Sequence, residues 1–164
     1  MNITLIGMPG SGKSTVGKAL AQQLGLQFVD VDQVIIRKTG QTLAEILDDV
    51  GDAGFRQVEE RINAELDVQD SVIAPGGSVI YGPRAMAHLR DISTVVYLQV
   101  EHDELLRRLG DLHARGVSIL PGQTFRDLYN ERCPYYERYA HLIVDTKGLS
   151  LKQVAEKIAE KVQG

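Results

Sequence analysis

Cysteine is almost missing from the sequence, and aromatic residues are few. Cys133 is the single cysteine, and Phe, Tyr and Trp together make up 5% of the 164 residues, with no tryptophan. One cysteine can form neither an intrachain disulfide nor a metal site built from several thiolates. The sequence is therefore not a disulfide-stabilised scaffold of the kind found among small secreted domains.

The chain also lacks an excess of positive charge and a long apolar run. Its formal net charge is -4, with a pI near 5.5, whereas general nucleic-acid binding depends on clustered lysine and arginine. No stretch approaches the roughly 20 apolar residues of a membrane-spanning helix, and the start of the chain shows no basic leader with a cleavage site. We therefore expect a cytoplasmic protein that binds neither nucleic acid nor membrane, with a monomer as the default.

Short apolar runs alternate along the chain with longer amphipathic segments. The apolar runs predict five strands, at residues 3–6, 27–29, 71–74, 94–99 and 142–144. The amphipathic segments predict helices at residues 13–24, 53–66, 84–90, 102–109 and 151–162. This βαβα order predicts an α/β fold, a three-layer sandwich in which helices cover both faces of a five-stranded parallel sheet.

Residues 110–124 are the least regular stretch of the chain. They contain Gly110, Gly116, Gly122 and Pro121, and they follow a predicted helix without an obvious strand. This composition predicts a mobile loop or lid. Because no linker or repeat divides the sequence elsewhere, we expect residues 1–164 to form a single domain that carries this lid.

The strongest motif lies at residues 7–14, which read Gly-Met-Pro-Gly-Ser-Gly-Lys-Ser. This G-x-x-x-x-G-K-S pattern follows a predicted strand and precedes a predicted helix, the context of a phosphate-binding P-loop, which a plain glycine-rich turn would not require. Backbone N–H groups of such a loop surround phosphate oxygens, Lys13 approaches the β- and γ-phosphates, and the Ser14 hydroxyl binds Mg²⁺. Thr15 either assists the phosphates or simply starts the helix. The predicted nucleotide-binding residues are Gly10, Ser11, Gly12, Lys13, Ser14 and Thr15.

Two carboxylates, Asp30 and Asp32, follow the second predicted strand. The carboxyl ends of parallel strands form the ligand-binding edge of such a sheet, so both side chains would lie beside the P-loop. Because strand side chains alternate, we expect Asp30 and Asp32 to point the same way, one towards Mg²⁺ and the other towards an acceptor hydroxyl. The competing interpretation is that Asp32 only caps the next helix.

An arginine and two glycines further along the chain are candidates for binding the acceptor. Arg56 lies in a predicted helix, where a solvated ion pair with Glu59 or Glu60 is the alternative. Gly76 and Gly77 follow the third predicted strand. Exposed backbone N–H groups there would meet a substrate oxygen or simply form a turn.

Two more arginines complete the candidate set. Arg115 lies in the predicted lid, where a closing guanidinium would stabilise charge on the transferred phosphate; an exposed loop residue is the alternative. Arg132 is suited to bidentate binding of a carboxylate, or to an ion pair with a nearby glutamate. Paired arginines favour an acceptor that bears a carboxylate or a phosphate.

Taken together, these motifs resemble the shikimate kinase family. The matching segments are GMPGSGKST at 7–15, FVDVD at 28–32, GFRQVEE at 54–60, PGGS at 75–78 and ERCPYYERYA at 131–140. The resemblance spans nearly the whole chain. The ordered set is much more specific than the P-loop, which many nucleotide enzymes share.

The resemblance implies a nucleoside-monophosphate-kinase-like P-loop fold, ATP with Mg²⁺, and transfer of the γ-phosphoryl group to the 3-hydroxyl of shikimate, a step towards aromatic amino acids. It implies that Lys13 and Ser14 contact phosphate and Mg²⁺, and that Asp30 contacts a water on Mg²⁺. Asp32 would bind the reacting hydroxyl and accept its proton. The other residues that the resemblance assigns are Arg56, Gly76, Gly77 and Arg132 around the acceptor, Arg108 near the adenine, and Arg115 in the lid.

Two segments depart from the family pattern and leave other acceptors open. Pro75 stands where the family usually has the first of three glycines, and Gly116 follows the lid arginine in place of a proline. A kinase of the same fold acting on gluconate, homoserine or another small alcohol is the first alternative. A regulatory module that binds ATP without transferring phosphate is the second.

Overall fold

The computed structural model describes residues 1–110 and 122–163. The strands are β1 (Asn2–Ile6), β2 (Gln27–Asp30), β3 (Ser71–Ala74), β4 (Thr94–Gln99) and β5 (Leu142–Asp145). The helices are α1 (Lys13–Leu24), α2 (Val31–Thr39), α3 (Leu43–Ala64), α4 (Pro83–Ile92), α5 (His102–Leu109), α6 (Phe125–Tyr139) and α7 (Leu151–Gln163). A 3₁₀ helix, Gly77–Tyr81, lies between β3 and α4.

The five strands form one parallel sheet in the order β2-β3-β1-β4-β5. Successive side chains of a strand point to opposite faces. Val95 and Tyr97 accordingly belong to one buried core, and Val96 and Leu98 to the other. The central strands β1, β3 and β4 are buried on both faces and are largely apolar. The edge strands β2 and β5 are less buried, but each still holds a short apolar run, which is why the sequence predicts all five. The predicted parallel sheet with helices on both faces is confirmed.

The helices divide between the two faces of the sheet. On one face, α1 and α7 pack together and bury Leu20 and Ile158. On the other face, α3 and α4 pack together and bury Ile62 and Met86. Since all strands run in the same direction, the loops that follow them open at one edge of the sheet, where the candidate site residues converge.

Helix α1 is held close to the sheet by a glycine. A Cβ added at Gly17 would lie 2.5 Å from Cε1 of Phe28 in β2. The helix ends at Gly25, which has a left-handed φ of 69° and donates its backbone N–H to the carbonyl oxygen of Ala21. The P-loop that precedes α1 is therefore anchored directly beside β2.

The sequence pattern does not predict helices α2 and α6. Helix α2 starts directly after β2, because Asp30 is its N-cap and accepts a hydrogen bond at 3.0 Å from the backbone N–H of Asp32. The expectation that Asp30 and Asp32 share a strand is therefore wrong, and so is the alternative that Asp32 is the cap. Helix α6 contains Pro134, which removes one helical hydrogen bond and interrupts the sequence signal.

Helix α3 begins ten residues earlier than the pattern indicates. Thr42 and Glu45 form a capping box at its start, each side chain bonding the other's backbone N–H. Gly51 interrupts it with a φ of 72° and a ψ of -179°. The break separates an N-terminal segment from the longer segment that carries Arg56 and Glu59.

Residues 111–121 of the predicted lid, including Arg115, lie outside the described residues. None of the helices within residues 1–110 and 122–163 is both long enough and apolar enough to span a membrane.

Candidate active site

The P-loop between β1 and α1 leaves an open cradle of backbone groups. Gly10 and Gly12 have φ of 83° and 96°, where glycine is favoured. A Cβ added at Gly10 would lie 3.0 Å from the Leu109 side chain, and one added at Gly12 would lie 2.8 Å from the Leu151 side chain. Both positions therefore also lack room for a side chain. No side chain of residues 1–110 or 122–163 caps α1, so within this part of the structure its first N–H groups are available to an anion. The buried hydroxyl of Ser11 has no hydrogen-bond partner among the described residues.

The side chain of Lys13 folds back over the earlier residues of the P-loop. Its ammonium donates to the carbonyl oxygens of Gly7 at 2.8 Å and Met8 at 3.1 Å. Burial, and next the charge of Arg132, lower the pKa of Lys13 to about 8, while the carboxylate of Asp32 opposes the shift. Without an anion in the loop, this lysine is therefore close to losing its proton at neutral to slightly alkaline pH.

Asp32 is half-buried in the first turn of α2. Burial raises its carboxyl pKa, the neighbouring charge of Asp30 raises it further, and Lys13 lowers it in part. A carboxylate with a raised pKa accepts a proton more readily than an exposed aspartate does. The sequence places Asp32 correctly beside the P-loop lysine, although from a helix and not from a strand.

Gly76 and Gly77 lie between Asp32 and Arg132. A Cβ added at Gly76 would be 2.9 Å from Glu59 Oε2 and 3.6 Å from Asp32 Oδ1. A Cβ added at Gly77 would be 3.2 Å from Arg132 Nη1 and equally close to a P-loop carbonyl oxygen. The two glycines thus allow Asp32, Glu59, Arg132 and the P-loop to lie close together. This position agrees with the prediction from their place after β3.

Arg56 and Arg132 approach each other from α3 and α6. Arg132 is buried and Arg56 is exposed, and both guanidinium groups lie near the ring of Tyr81. Within residues 1–110 and 122–163, neither guanidinium has a carboxylate within 4.0 Å. The alternative ion pairs of Arg56 with Glu59 or Glu60 are therefore not formed, and Glu60 pairs with Arg84 at 3.5 Å.

Glu59 and Tyr136 are site residues that the sequence reasoning missed. Glu59 is buried and accepts a hydrogen bond at 2.7 Å from the hydroxyl of Ser78. Burial raises the pKa of Glu59, and the bond from Ser78 offsets part of that rise. Tyr136 donates its hydroxyl to the carbonyl oxygen of Gly77 at 2.7 Å. The helical spacing of Glu59 from the buried Ile62 was a usable signal, because it places the carboxylate on the apolar face of α3.

Arg108 lies on the other side of the P-loop, in α5. Its guanidinium donates to the carbonyl oxygen of Gly10 at 3.2 Å and to Glu104 at 3.0 Å. A cavity of about 270 Å³ opens beside it, where β4 and β5 end. Its lining residues are Val100, Glu101, Glu104, Arg108, Thr146, Lys147, Gly148 and Leu149.

The P-loop fits a nucleoside triphosphate, and the oxygen groups nearby fit a hard cation. The backbone N–H groups of the P-loop and of the first turn of α1 can donate to phosphate oxygens, and so can the Ser11 hydroxyl, which has no partner among the described residues. Ser14 is exposed in the first turn of α1, next to Thr15, and Asp30 lies at the end of β2, where its charge acts on Asp32. Three or more acidic, histidine or cysteine side chains do not cluster anywhere in the described ranges. A serine hydroxyl and a carboxylate are ligands that fit Mg²⁺, which is usually bound by one or two side chains together with substrate phosphates.

Comparison with known proteins agrees with this arrangement. The shikimate kinase family model matches residues 9–163. The shikimate kinase of Alteromonas mediterranea is 41% identical, over 98% of this chain and 96% of its own length. That of Paracidovorax citrulli is 37% identical, over 99% and 92%.

Solved structures give the same result. The shikimate kinase of Acinetobacter baumannii, solved in complex with shikimate, superposes with a TM-score of 0.89 at 35% identity, over 99% of this chain and 92% of that one. The family match at residues 9–163 spans most of the P-loop and the segments that contain Asp32 and both arginines. The chain belongs to the shikimate kinase family of small-molecule kinases.

Proposed function

We propose that this chain transfers the γ-phosphoryl group of ATP to the 3-hydroxyl of shikimate. Family membership implies ATP as the phosphoryl donor. The observation that carries the proposal is the position of Arg56 and Arg132 across two glycines from Asp32 and the P-loop, with no carboxylate partner for either arginine in the described part of the chain. A carboxylate-bearing alcohol that binds both arginines would present a hydroxyl between Asp32 and the phosphate cradle.

On the acceptor side, each group has a distinct task. Arg56 and Arg132 bind the carboxylate of the acceptor, and their planar guanidiniums favour bidentate hydrogen bonds. Backbone groups of Gly76 and Gly77 contact the acceptor ring, where no side chain fits. Asp32 orients the reacting hydroxyl and accepts its proton, as its raised pKa permits.

On the nucleotide side, the P-loop aligns the triphosphate for in-line transfer. Backbone N–H groups of Gly10, Ser11 and Gly12 hold the phosphates, and Lys13 stabilises the charge that spreads over the transferred group. Mg²⁺, held by the Ser14 hydroxyl and through water by Asp30, supplies further charge neutralisation when it is bound. Thr15 is proposed to assist the phosphates from the first turn of α1.

Two further arginines act at the edges of the nucleotide. Arg108 borders the 270 Å³ cavity and is proposed to contact the adenine there. Arg115 stays a prediction for the lid, since it lies outside the described residues. Three further properties likewise stay predictions from the sequence: a single domain over residues 1–164, a monomeric state and a cytoplasmic location.

The direct test supplies purified protein with ATP, Mg²⁺ and shikimate, follows ADP release and identifies the product by mass spectrometry. Gluconate and homoserine serve as parallel acceptors. We expect turnover that depends on shikimate and a product phosphorylated at the 3-hydroxyl. The comparisons favour neither the other acceptors nor a binding-only module. Turnover with gluconate or homoserine alone, or ATP binding without transfer to any acceptor, would contradict the proposal.

A further inference from the structure

Tyr81 lies between the two arginines assigned to the acceptor. The guanidinium carbon of Arg56 is 4.3 Å from the centre of the Tyr81 ring, and that of Arg132 is 5.4 Å from it. Both distances lie within the range of cation–π attraction, about 6 Å. One aromatic ring therefore contacts two positive groups.

The hydroxyl of Tyr81 ties the same ring to helix α6. It accepts a hydrogen bond from Nε of Arg132 at 3.4 Å and donates one to the carboxylate of Glu131. Burial, and next the bond to Glu131, raise the pKa of the Tyr81 phenol, so the hydroxyl keeps its proton and stays a donor at neutral pH. The bond from Arg132 uses Nε, and Tyr136 is a second hydrogen-bonding neighbour of the same guanidinium. Because a guanidinium has five N–H donors, Arg132 keeps donors for a further partner.

The contact of Tyr81 with both arginines takes the place of an ion pair. No carboxylate of the described ranges lies within 4.0 Å of either guanidinium, although Arg132 is buried. A buried guanidinium is costly unless its charge is compensated. The electron-rich ring compensates part of that charge, and the Tyr81 hydroxyl bonds only Nε of Arg132, so Tyr81 does not bond the terminal nitrogens of either guanidinium.

We propose that Tyr81 is a positioning residue, which fixes the spacing and orientation of Arg56 and Arg132 so that their free edges bind a planar carboxylate on the acceptor. The inference rests on the proposed function, since it names what selects the acceptor at that same site. It assigns acceptor specificity to a side chain at the end of the 3₁₀ helix that begins at Gly77.

A purely structural role for Tyr81 makes different predictions. Tyr81 also contacts the ring of Tyr135, with centroids 5.8 Å apart, so its removal would loosen local packing in either case. Loss of packing alone would weaken the binding of every ligand or lower stability. Loss of positioning would affect only ligands that carry the carboxylate.

The test compares Tyr81→Leu and Tyr81→Phe with the wild type, using shikimate and its methyl ester. The ester keeps the ring and hydroxyls but has no negative charge. We expect Tyr81→Leu to raise the KM for shikimate roughly threefold to thirtyfold, the range that follows from the strength of cation–π contacts. Tyr81→Phe keeps the ring and loses only the hydroxyl bonds, so its KM should rise less. The KM for ATP and the inhibition constant of the methyl ester should stay unchanged in both variants.

Tyr135→Leu is the matched control, because Tyr135 contacts Tyr81 without lying over Arg56 or Arg132. It should leave the KM for shikimate unchanged. A double variant of Tyr81→Leu with Arg56→Ala should lose little more affinity than Arg56→Ala alone, because Tyr81 acts through the arginine.

The outcomes separate the two claims. Normal shikimate KM in Tyr81→Leu, or equal weakening of shikimate, methyl ester and ATP, overturns the positioning role while the proposed function stands. If the wild type neither binds nor phosphorylates shikimate, the proposed function fails and the role of Tyr81 falls with it. A selective rise in the shikimate KM, moderated in Tyr81→Phe and absent in Tyr135→Leu, supports it.

Discussion

Lys13 has a pKa that the bound nucleotide should change. In the free protein that pKa lies at about 8, so about half of the molecules carry a neutral lysine at pH 8. Phosphate charges next to the ammonium favour its protonated form and raise the pKa. We therefore expect ATP binding at pH 8 to take up as much as about half a proton, and binding at pH 6 to take up almost none.

Calorimetric titration of ATP in two buffers of different ionisation enthalpy measures this proton uptake. Lys13→Met should abolish the uptake at pH 8, whereas Lys18→Met, which changes an exposed lysine of the same helix, should retain it. Equal uptake in the wild type and in Lys13→Met would mean that another group titrates on binding.

Asp32 is expected to act on the acceptor and not on the nucleotide. Asp32→Asn keeps the size of the side chain but removes the proton acceptor, so kcat should fall by about 10²- to 10⁴-fold. The affinity for ATP should change little. Single-turnover kinetics and ATP titration check the two parts, with Asp49→Asn on an exposed part of α3 as the control. Near-normal turnover in Asp32→Asn would remove the carboxylate from the chemistry.

Residues in contiguous motifs were predictable, and residues that act through distant contacts were not. Lys13 lies in a motif that carries its own strand, turn and helix, so its position follows from local sequence. Tyr81 meets Arg132, which lies 51 residues further along the chain. Its neighbours depend on how α6 packs against the 3₁₀ helix, and a single sequence does not show that packing.

At the scale of elements, the close packing of α1 on β2 can be tested by a substitution that adds one methyl group to the helix. Gly17→Ala would place Cβ 2.5 Å from the ring of Phe28. Alanine favours a helix over glycine by up to about 1 kcal/mol, but overpacking costs about 1–3 kcal/mol. We expect a net loss of stability in urea unfolding with an unchanged m-value.

Gln22→Ala, at an exposed position of the same helix, is the control and should leave the unfolding midpoint nearly unchanged. A stabilised Gly17→Ala protein would show that the Phe28 ring moves aside without cost. Such a result would also mean that α1 and the P-loop are held less rigidly beside β2 than the packing indicates.

The predicted elements differ in how clearly they appear in the sequence. The strands were predictable because each contains an apolar run, which in the central strands β1, β3 and β4 is buried on both faces. Helix α2 was not, because Asp30 ends β2 and caps α2 at the same residue, so no loop separates the two. Helix α6 carries Pro134 in its interior, and proline normally predicts a helix end.

At the scale of the whole molecule, His141 links stability to pH. The backbone N–H of Val95 donates to Nδ1 of His141 at 2.9 Å, and the backbone N–H of His141 donates to the carbonyl oxygen of Val95 at 2.8 Å. Burial, and next the charge of Arg90, lower the pKa of His141 below its usual 6.5. The unfolded chain thus binds this proton more readily than the native protein does.

The stability that this pair contributes is present above about pH 6.5 and is lost as the pH falls through the lower native pKa. We expect His141→Asn to flatten the decline in unfolding free energy between pH 7 and pH 5. The asparagine oxygen can accept from the Val95 N–H, and it does not titrate. Urea unfolding at several pH values measures this, and parallel profiles for both proteins would assign the pH dependence to other groups.

The strand order also divides the site along the chain. The groups proposed to meet the acceptor, from Asp32 to Tyr81, come from one continuous segment around β2 and β3, whereas the cavity beside Arg108 belongs to β4 and β5. Among residues 1–110 and 122–163, α6 alone returns a late residue, Arg132, to the acceptor side. In evolutionary terms, the residues proposed to select the acceptor lie mostly in this one segment, which recombination can exchange as a unit. A descendant with a new substrate would need a different version of that segment and one compensating change in α6, and it would inherit the P-loop unchanged.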